Sequence, residues 1–280
     1  MEKAIKRYFP IFVLPTMIAF TLGFIIPFVE GVYLSFCKFT TVNDAKFIGF
    51  ANYAKVFTDA TFVHAFWYTA AFTVVSVILI NVLAFAVALL LTKGFKGTNI
   101  FRTVFFMPNL IGGIVLGYIW QLLLNGILMK FSRTLTYSST YGFWGLIILM
   151  CWQQIGYMMI IYIAGIQNIP GELIEAAEID GATKWQILKK VTIPMVMPSI
   201  TVCTFLTLTN SFKLFDQNLA LTNGEPSKMS EMLALNIFNT FYGRTGYEGV
   251  GQAKAVIFFI LVTVIALTQN YLTRRKEVQQ

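Results

Sequence analysis

The segment EAAEIDGATKWQILKKVTIP (residues 175–194) is a charged, helix-forming stretch in a chain that is otherwise strongly apolar. Of the 280 residues, 57% are hydrophobic and only 12% are charged. A soluble domain carries roughly 25% charged residues, so this chain has about half the usual charge. Long apolar runs flank the segment on both sides. The composition therefore predicts an integral membrane protein in which this segment connects two membrane-spanning helices.

Six apolar runs approach the length of about 20 residues that a helix needs to cross the hydrocarbon core of a bilayer. They cover residues 10–36, 65–91, 103–124, 143–166, 195–215 and 254–272. The first run is too long for a secretory signal and no small-residue cleavage site follows it, so it predicts a retained helix. The fifth contains Pro198 and several polar residues, which are tolerated where they face protein or a cavity. We expect an all-α, polytopic membrane protein with six transmembrane helices, forming a single domain over residues 1–280.

The Lys and Arg residues predict that both termini lie in the cytoplasm. With the N-terminus inside, the shorter inner segments hold 12 of the 21 cations, Arg275 and Lys276 among them, and the longer outer loops hold nine. This density difference follows the rule that cytoplasmic loops are enriched in cations. The cations lie between apolar runs rather than on one face, so the net charge of +8 reflects orientation and predicts no nucleic-acid partner.

On this topology, residues 168–194 form a cytoplasmic connection between the fourth and fifth spans. Pro170 fits the first turn of a short helix, and Glu172 and Glu175 lie near the positive end of its dipole. Gly181 is placed to close that helix in the left-handed conformation. The pattern predicts a first surface helix over this part of the connection.

A second short helix is predicted directly after the first. Thr183 and Gln186 have the spacing of a capping box, which opens a helix continuing through Lys190. Pro194 is expected to end the connection just before the fifth span. The local chemistry alone leaves two interpretations of this helix pair open: a docking element for a soluble partner, or an amphipathic linker.

The connection also carries a motif: E-A-A, three residues, Gly, nine residues, and then aliphatic, any residue, aliphatic, Pro. This motif resembles the cytoplasmic motif of permease subunits in binding-protein-dependent ABC importers. Its positions in this chain are Glu175, Ala176, Ala177, Gly181, Val191, Ile193 and Pro194.

Four further stretches resemble carbohydrate-type permeases of that family, the group that includes the maltose and multiple-sugar permeases. They are FIGFANYAKVFTDATF (47–62), RTVFFMPNLIGGIV (102–115), FKLFDQNLALTNGEP (212–226) and GQAKAVIFF (251–259). The last of these departs from the family pattern at Lys254, which we expect to snorkel outward from a span end, as we do for Lys213.

The resemblance implies a permease subunit of a sugar importer, with an oligosaccharide as the expected substrate, in a bacterial or archaeal plasma membrane. The partners it implies are a second homologous permease subunit, two ATP-binding subunits that hold ATP and Mg, and an extracytoplasmic solute-binding protein. Glu175 would face a basic side chain of the ATPase, Ala176 and Ala177 would form the close-packing face, and Gly181 the turn.

No catalytic, cofactor-binding or metal site is expected on this chain. The sequence has no G-x-x-x-x-G-K-[ST] loop, so ATP hydrolysis is expected on a partner chain. The single histidine, His64, lacks a companion ligand or base. Cys37, Cys151 and Cys203 are widely spaced, which favours neither a disulfide framework nor a metal site.

Polar residues at membrane depth are the candidates for a substrate path, because an unpartnered amide in hydrocarbon is costly. Amides both donate and accept hydrogen bonds, and an indole stacks on the apolar face of a sugar ring. The candidates are Trp120 and Gln121 in the outer half of span three, Trp152, Gln153 and Gln154 in span four, and Thr207, Asn210 and Ser211 in span five. The alternative role for each is to join helices to one another.

Other expectations concern the glycines and the last loop. Gly113 and Gly117 form a GxxxG pattern, which predicts close helix packing within the subunit. Residues 216–252 are expected to form an outer loop that a substrate-delivering protein could contact.

Three alternative functions stay open from sequence. A polyol or glycerol-phosphate permease is one, although a phosphate favours cations in the path and the predicted spans offer none at mid-depth. An ion-coupled secondary transporter would need ionisable residues near the midplane. A membrane enzyme would need catalytic clusters, and none is evident.

Overall fold

The computed structural model describes residues 2–94 and 96–274; Arg275 and Lys276, counted above among the inner cations, lie outside the described residues. The chain is 81% helical, which confirms the all-α class. Its helices are α1 (Glu2–Phe20), α2 (Ile26–Leu34), α3 (Ala51–Thr58), α4 (Ala60–Leu91), α5 (Thr98–Phe106), α6 (Gly113–Leu128), α7 (Ser139–Gln167), α8 (Gly171–Ile179), α9 (Lys184–Ile187), α10 (Ile193–Met195), α11 (Met197–Phe212), α12 (Asp216–Leu221), α13 (Leu233–Gly243) and α14 (Glu248–Arg274). The strands β1 (Cys37–Lys38) and β2 (Lys46–Phe47) form one short antiparallel pair.

The described helices supply five or six membrane spans. Five are long and apolar enough to cross a bilayer: Ile11–Leu34, Ala60–Leu91, Gly113–Phe131, Ser139–Gln167 and Glu248–Arg274. A sixth arises if Lys184–Met195 and Met197–Phe212, which meet at a bend of 69°, count as one span. The chain forms two compact units, an N-terminal unit (described residues of 1–60 and 237–259) and a central unit (described residues of 61–236 and 260–280).

The third span differs from the predicted range 103–124. The helix α5 ends at Phe106, a 3-10 turn covers Met107–Leu110, and Ile111 is extended before α6 begins. Pro108 lies in the first positions of that turn, where its missing N–H and fixed backbone angle interrupt a continuing helix. The membrane-length helix is therefore Gly113–Phe131, and this shift brings Trp120 and Gln121 near its middle rather than into the outer half of the span.

The fifth span also differs from the predicted range 195–215. The chain stays helical through Pro194, which does not end the connection, and the bend comes at Val196. The helix α11 has 16 residues and ends at Phe212, and after a short break the chain forms α12. The first part of the expected outer loop is thus a helix, and α12 packs along α6, which lies in one of the candidate spans.

Close packing of α12 on α6 confirms the packing role predicted for the GxxxG pattern. A Cβ added at Gly113 would lie 2.7 Å from the Cβ of Asp216, and one added at Gly117 would lie 2.7 Å from the Cβ of Ala220. Real Cβ atoms do not approach this closely, so both positions require glycine. The pattern brings two segments of this chain together.

The helix α7 is the most buried candidate span among the described residues and forms the centre of the central unit. Its glycines admit neighbouring segments. At Gly156 the backbone of α5 approaches so closely that an added Cβ would lie 1.8 Å from the carbonyl oxygen of Phe105. Interiors packed to this density transmit any change in volume.

We expect Gly156→Ala to lower the free energy of unfolding by about 1–3 kcal/mol, the usual cost of overpacking. The obstacle is backbone, which cannot swing aside as a side-chain tip can. The control is Gly126→Ala in α6, where an added Cβ meets nothing within 4 Å. Thermal unfolding in detergent should separate the two variants, and equal midpoints would contradict the close approach at Gly156.

The N-terminal unit is held together by polar contacts around β1 and β2. The Asn52 side chain donates to the carbonyl oxygens of Ser35 and Cys37, at 2.9 and 2.8 Å. Between the strands, the backbone N–H groups of Thr40 and Thr41 donate to the Asp44 carboxylate, which lowers the pKa of that carboxyl below its usual value.

The position of Lys254 differs from the expectation that its side chain snorkels outward. Its side chain is 0% exposed, and its ammonium lies 2.7 Å from Oδ2 of Asp59 and 2.8 Å from Oγ1 of Thr240. All three residues belong to the N-terminal unit. A buried cation requires a carboxylate partner. Asp59 supplies it from a point 195 positions away in the chain, which no local pattern could indicate.

Candidate functional site

The connection between α7 and α11 contains the two predicted surface helices, with the predicted caps. Pro170 is the residue immediately before α8, and Gly181 has a φ of 76°, the left-handed conformation that ends the helix. The N–H of Thr183 donates to Oε1 of Gln186 at 2.7 Å, and the N–H of Gln186 donates back to Oγ1 of Thr183 at 3.3 Å. This reciprocal capping box fixes the start of α9.

Four exposed residues of this helix pair, which we call the helix-pair surface, are Glu175, Ala176, Ile179 and Trp185. Ile179 is 86% exposed and Trp185 is 70% exposed, unusual values for large apolar side chains. Glu175 has no hydrogen bond or ion pair within the part of the chain that the structure describes. Exposed apolar side chains beside an unpaired carboxylate are typical of a protein-interaction surface.

Between α8 and α9 lies a cleft with a volume of about 300 Å³. Ala177 and Gly181, two of the predicted motif residues, line it together with Gln186 and Lys190. Ile187, also in its lining, is buried. The predicted motif is thus divided: Glu175 and Ala176 lie on the exposed face, and Ala177 and Gly181 shape the cleft.

A second group of predicted residues meets where α6, α7 and α12 come together. Gln153, buried at the centre of α7, donates from Nε2 to the carbonyl oxygen of Ile111 at 3.3 Å. Its Oε1 accepts from Nε2 of Gln217 at 2.9 Å. Gln153 therefore connects the break before α6 to the helix α12.

The remaining members of this group lie on α6 and α7. Gln121 donates to the carbonyl oxygen of Leu221 at 3.0 Å. The rings of Trp120 and Trp152 meet edge to face, with centroids 5.6 Å apart. Trp152 is exposed and Trp120 is half-buried, so the pair presents indole surface. We call Trp120, Gln121, Trp152, Gln153 and Gln217 the polar cluster.

Thr207 does not belong to the polar cluster and has a joining role instead. It is fully buried, and its Oγ1 accepts from Nδ2 of Asn81 at 3.3 Å. The hydroxyl of Tyr162 donates to Oδ1 of the same Asn81 at 2.7 Å. These bonds connect α4, α7 and α11 through side chains, which matches the alternative interpretation of Thr207.

The other candidates are separated as well. Gln154 and Ser211 are buried, and within the described chain the Gln154 Oε1 and the Ser211 Oγ have no hydrogen-bond partner. Asn210 is half-buried on α11. Of the eight predicted path residues, Trp120 and Trp152 contact each other, and Gln121 and Gln153 each form a hydrogen bond to α12.

Two exposed charged residues lie close in sequence to Gln217. Lys213 directly follows α11, the second helix of the bent candidate span. Asp216, three residues later, is also exposed and packs beside Gly113. Gln217, the next residue, contacts Gln153 near the centre of α7.

A comparison with known families decides the identity of the chain. A family described as binding-protein-dependent transport system inner membrane component matches residues 80–278. The chain belongs to this family. This match confirms the resemblance seen in the 175–194 motif.

Relatives of the permease cover nearly all of it. It is 42% identical, over 96% of this chain and 94% of the relative, to the probable starch degradation products transport system permease protein AmyD of Thermoanaerobacterium thermosulfurigenes. It is 29% identical, over 99% of both chains, to the multiple sugar-binding transport system permease protein MsmF of Streptococcus mutans. It is 28% identical, over 89% of this chain and 88% of the relative, to the trehalose/maltose transport system permease protein MalF of Thermococcus litoralis.

Solved structures share the fold of the permease. A chain of a bacterial ABC transporter involved in the import of the acidic polysaccharide alginate superposes with a TM-score of 0.82 at 22% identity, covering 98% of both chains. A chain of the MetNI methionine ABC transporter has a TM-score of 0.57 at 22% identity, covering 77% of this chain and 96% of that one. Identities this low support the fold alone.

Family membership defines the permease as a transport subunit of the membrane rather than an enzyme in itself.

The sequence of the permease did not reveal three residues that the structure places in or near the sites. Gln217 lies in the range predicted as an outer loop, Asn81 lies within an apolar run, and Trp185 lies within a polar segment. An indole in a charged segment was the one usable signal among them.

Proposed function

We propose that this permease forms half of the translocation path of an ATP-driven sugar importer whose substrate is an oligosaccharide. The observation that carries the proposal is the polar cluster, centred on Gln153 in the most buried of the described spans. Relatives named for starch degradation products, multiple sugars and trehalose/maltose favour the same substrate class.

The chemistry of the polar cluster fits a neutral sugar. The amides of Gln121, Gln153 and Gln217 both donate and accept, as sugar hydroxyls do. The indoles of Trp120 and Trp152 offer surface for the apolar face of a pyranose. Gln154, Asn210 and Ser211 stay candidates for further contacts along the path.

A polyol or glycerol-phosphate substrate has one observation in its favour, the exposed ammonium of Lys213, four residues before Gln217. The exposed carboxylate of Asp216, three residues later, opposes it. An anionic substrate would therefore meet both signs of charge in this segment, which favours a neutral one.

The helix-pair surface supports the remaining assignments. We assign this surface and the adjoining cleft to docking on an ATP-binding subunit. The contact residues would be Glu175 and Ala176 of the surface and Ala177 and Gly181 of the cleft, with both termini on the same, cytoplasmic side. The assembly would then contain a second homologous permease subunit, two ATP-binding subunits carrying ATP and Mg, and an extracytoplasmic solute-binding protein. The plasma membrane of a bacterium or archaeon is the location that fits this assembly.

Gln153→Ala and Gln217→Ala are expected to raise the half-saturating concentration for maltooligosaccharide uptake about 2- to 10-fold. This range corresponds to the net value of one hydrogen bond, about 0.5–1.5 kcal/mol. Uptake would be measured with the permease reconstituted together with its partner subunits, and basal ATP hydrolysis should stay unchanged.

Gln167→Ala is the control for this experiment, because Gln167 is exposed at the end of the same helix, α7. It should leave the half-saturating concentration unchanged. If both cluster variants also leave it unchanged, the two glutamines only hold helices together and the sugar path lies elsewhere.

A further inference from the structure

A groove between the second half of α6 and the first turns of α7 is lined almost entirely by apolar side chains. Its volume is about 260 Å³. Leu124 and Leu128 of α6 and Ile148 of α7 line it, with Leu135 of the intervening loop. Leu135 is buried because its N–H donates to Oδ1 of Asn125 at 2.8 Å, which folds the loop onto the helices.

One end of this groove carries cationic and aromatic groups. Tyr141 lines the groove, and its hydroxyl accepts a hydrogen bond from the guanidinium of Arg133. The same guanidinium stacks over the rings of Tyr137 and Tyr141, 5.1 and 5.7 Å from their centroids. Lys130, in the same loop, is exposed. A fixed guanidinium therefore stands directly at the mouth of an apolar groove.

No carboxylate neutralises these two cations locally. The sequence contains no Asp or Glu between Asp59 and Glu172. Among the described residues, neither Arg133 nor Lys130 forms an ion pair. This loop therefore presents two exposed positive charges without an ion-pair partner among the described residues, which are available to an anion from outside the chain.

Aromatic residues place the mouth of the groove at the boundary of the bilayer. Tyr137 and Trp144 are exposed large aromatics, and Tyr and Trp are enriched where membrane helices meet the headgroup layer. Ile148 lies one helical turn further into the span than Trp144, so the groove runs from the headgroup level into the hydrocarbon.

We propose that this groove binds an anionic phospholipid, with one acyl chain along the apolar lining and the phosphate on Arg133 and Lys130. Apolar contact alone does not select a lipid in a bilayer, because the surrounding chains are equally apolar. The guanidinium supplies the selectivity, since its planar donors match phosphate oxygens. Tyr141 contacts both parts of the ligand site and orients the guanidinium.

Native mass spectrometry tests this proposal on the permease purified from membranes in mild detergent with the subunits that accompany it. The preparation would be incubated with equal amounts of phosphatidylglycerol and phosphatidylcholine. Wild type should retain phosphatidylglycerol in preference. Arg133→Gln should lower that retention about tenfold, because a charge-assisted contact is lost. Ile127→Trp, which fills the groove, should lower the retention of both lipids.

Two control variants match these changes. Arg244→Gln removes a guanidinium that likewise stacks on a tyrosine, Tyr247 at 5.9 Å, but does not line the groove. Ile119→Trp adds the same indole to an exposed position of α6 outside the groove. Both should retain phosphatidylglycerol as wild type does.

Three results would overturn the proposal. Equal retention of the two lipids by wild type would show annular contact without a headgroup site. Unchanged phosphatidylglycerol retention in Arg133→Gln would remove the role of the guanidinium. Release of a protein subunit by Ile127→Trp, with lipid retention unchanged, would show that the groove is a subunit interface.

Discussion

Asp59→Ala is expected to lower the free energy of unfolding of the permease by about 3–5 kcal/mol, the cost of removing one partner of a buried ion pair. Lys254 is 0% exposed, and the substitution leaves its ammonium with Thr240 but without the carboxylate at 2.7 Å. Thermal unfolding in detergent, followed by tryptophan fluorescence, measures the loss.

The two members of this pair should differ in their effects. Asp59 is 19% exposed, so water can solvate its carboxylate when Lys254 is replaced. Lys254→Met should therefore cost less than Asp59→Ala, and the double variant should recover most of the stability lost in Asp59→Ala.

Glu30→Ala is the control for this pair, because it removes an exposed carboxylate of the same N-terminal unit and should have little effect. A wild-type midpoint for Asp59→Ala would mean that the carboxylate does not hold the ammonium in its buried position.

Glu175→Ala is expected to reduce sugar-stimulated ATP hydrolysis by the reconstituted complex about 30-fold or more. Truncating one partner of a charge pair buried at an interface costs about 2–5 kcal/mol. Because Glu175 is exposed and has no partner among the described residues, its loss should leave the thermal stability of the isolated permease unchanged. This combination distinguishes a docking residue from a structural one.

Glu178→Ala is the matched control, since Glu178 is exposed on the same helix, α8, and occupies an unspecified position of the predicted motif. It should retain stimulated hydrolysis close to wild type. Equal stimulated hydrolysis by Glu175→Ala and wild type would show that the helix pair is only a surface linker. Equal losses in both glutamate variants would indicate a general effect of negative charge at this end of the helix.

The candidate sites were predictable from sequence only in part. Polar and indole groups within apolar runs are identifiable from sequence because burying them without a partner is costly. This argument identified Trp120, Gln121, Trp152 and Gln153. Their partner Gln217 was not, because it follows a break in the fifth span and pairs with a residue 64 positions earlier.

Thr207 shows the converse case. Its polarity marks it as a path candidate, and its hydroxyl accepts a hydrogen bond from Asn81 of another helix. A hydroxyl in an apolar run looks the same in sequence whether it faces a path or another helix, so only the packing of α4 against α11 could separate these roles.

The sequence by itself determined the membrane class, the approximate spans and the caps of the helix pair, because hydropathy and capping depend on neighbours within a few residues. Gly181 and the Thr183–Gln186 capping box are of this kind. Tertiary structure alone decided that α12 packs along α6, that Asp59 pairs with the buried Lys254 and that Arg133 contacts Tyr141 at one end of an apolar groove. Those outcomes depend on which distant segments pack together. The effect of a helix-breaking proline or a buried charge therefore depends on the residues that the fold places against it.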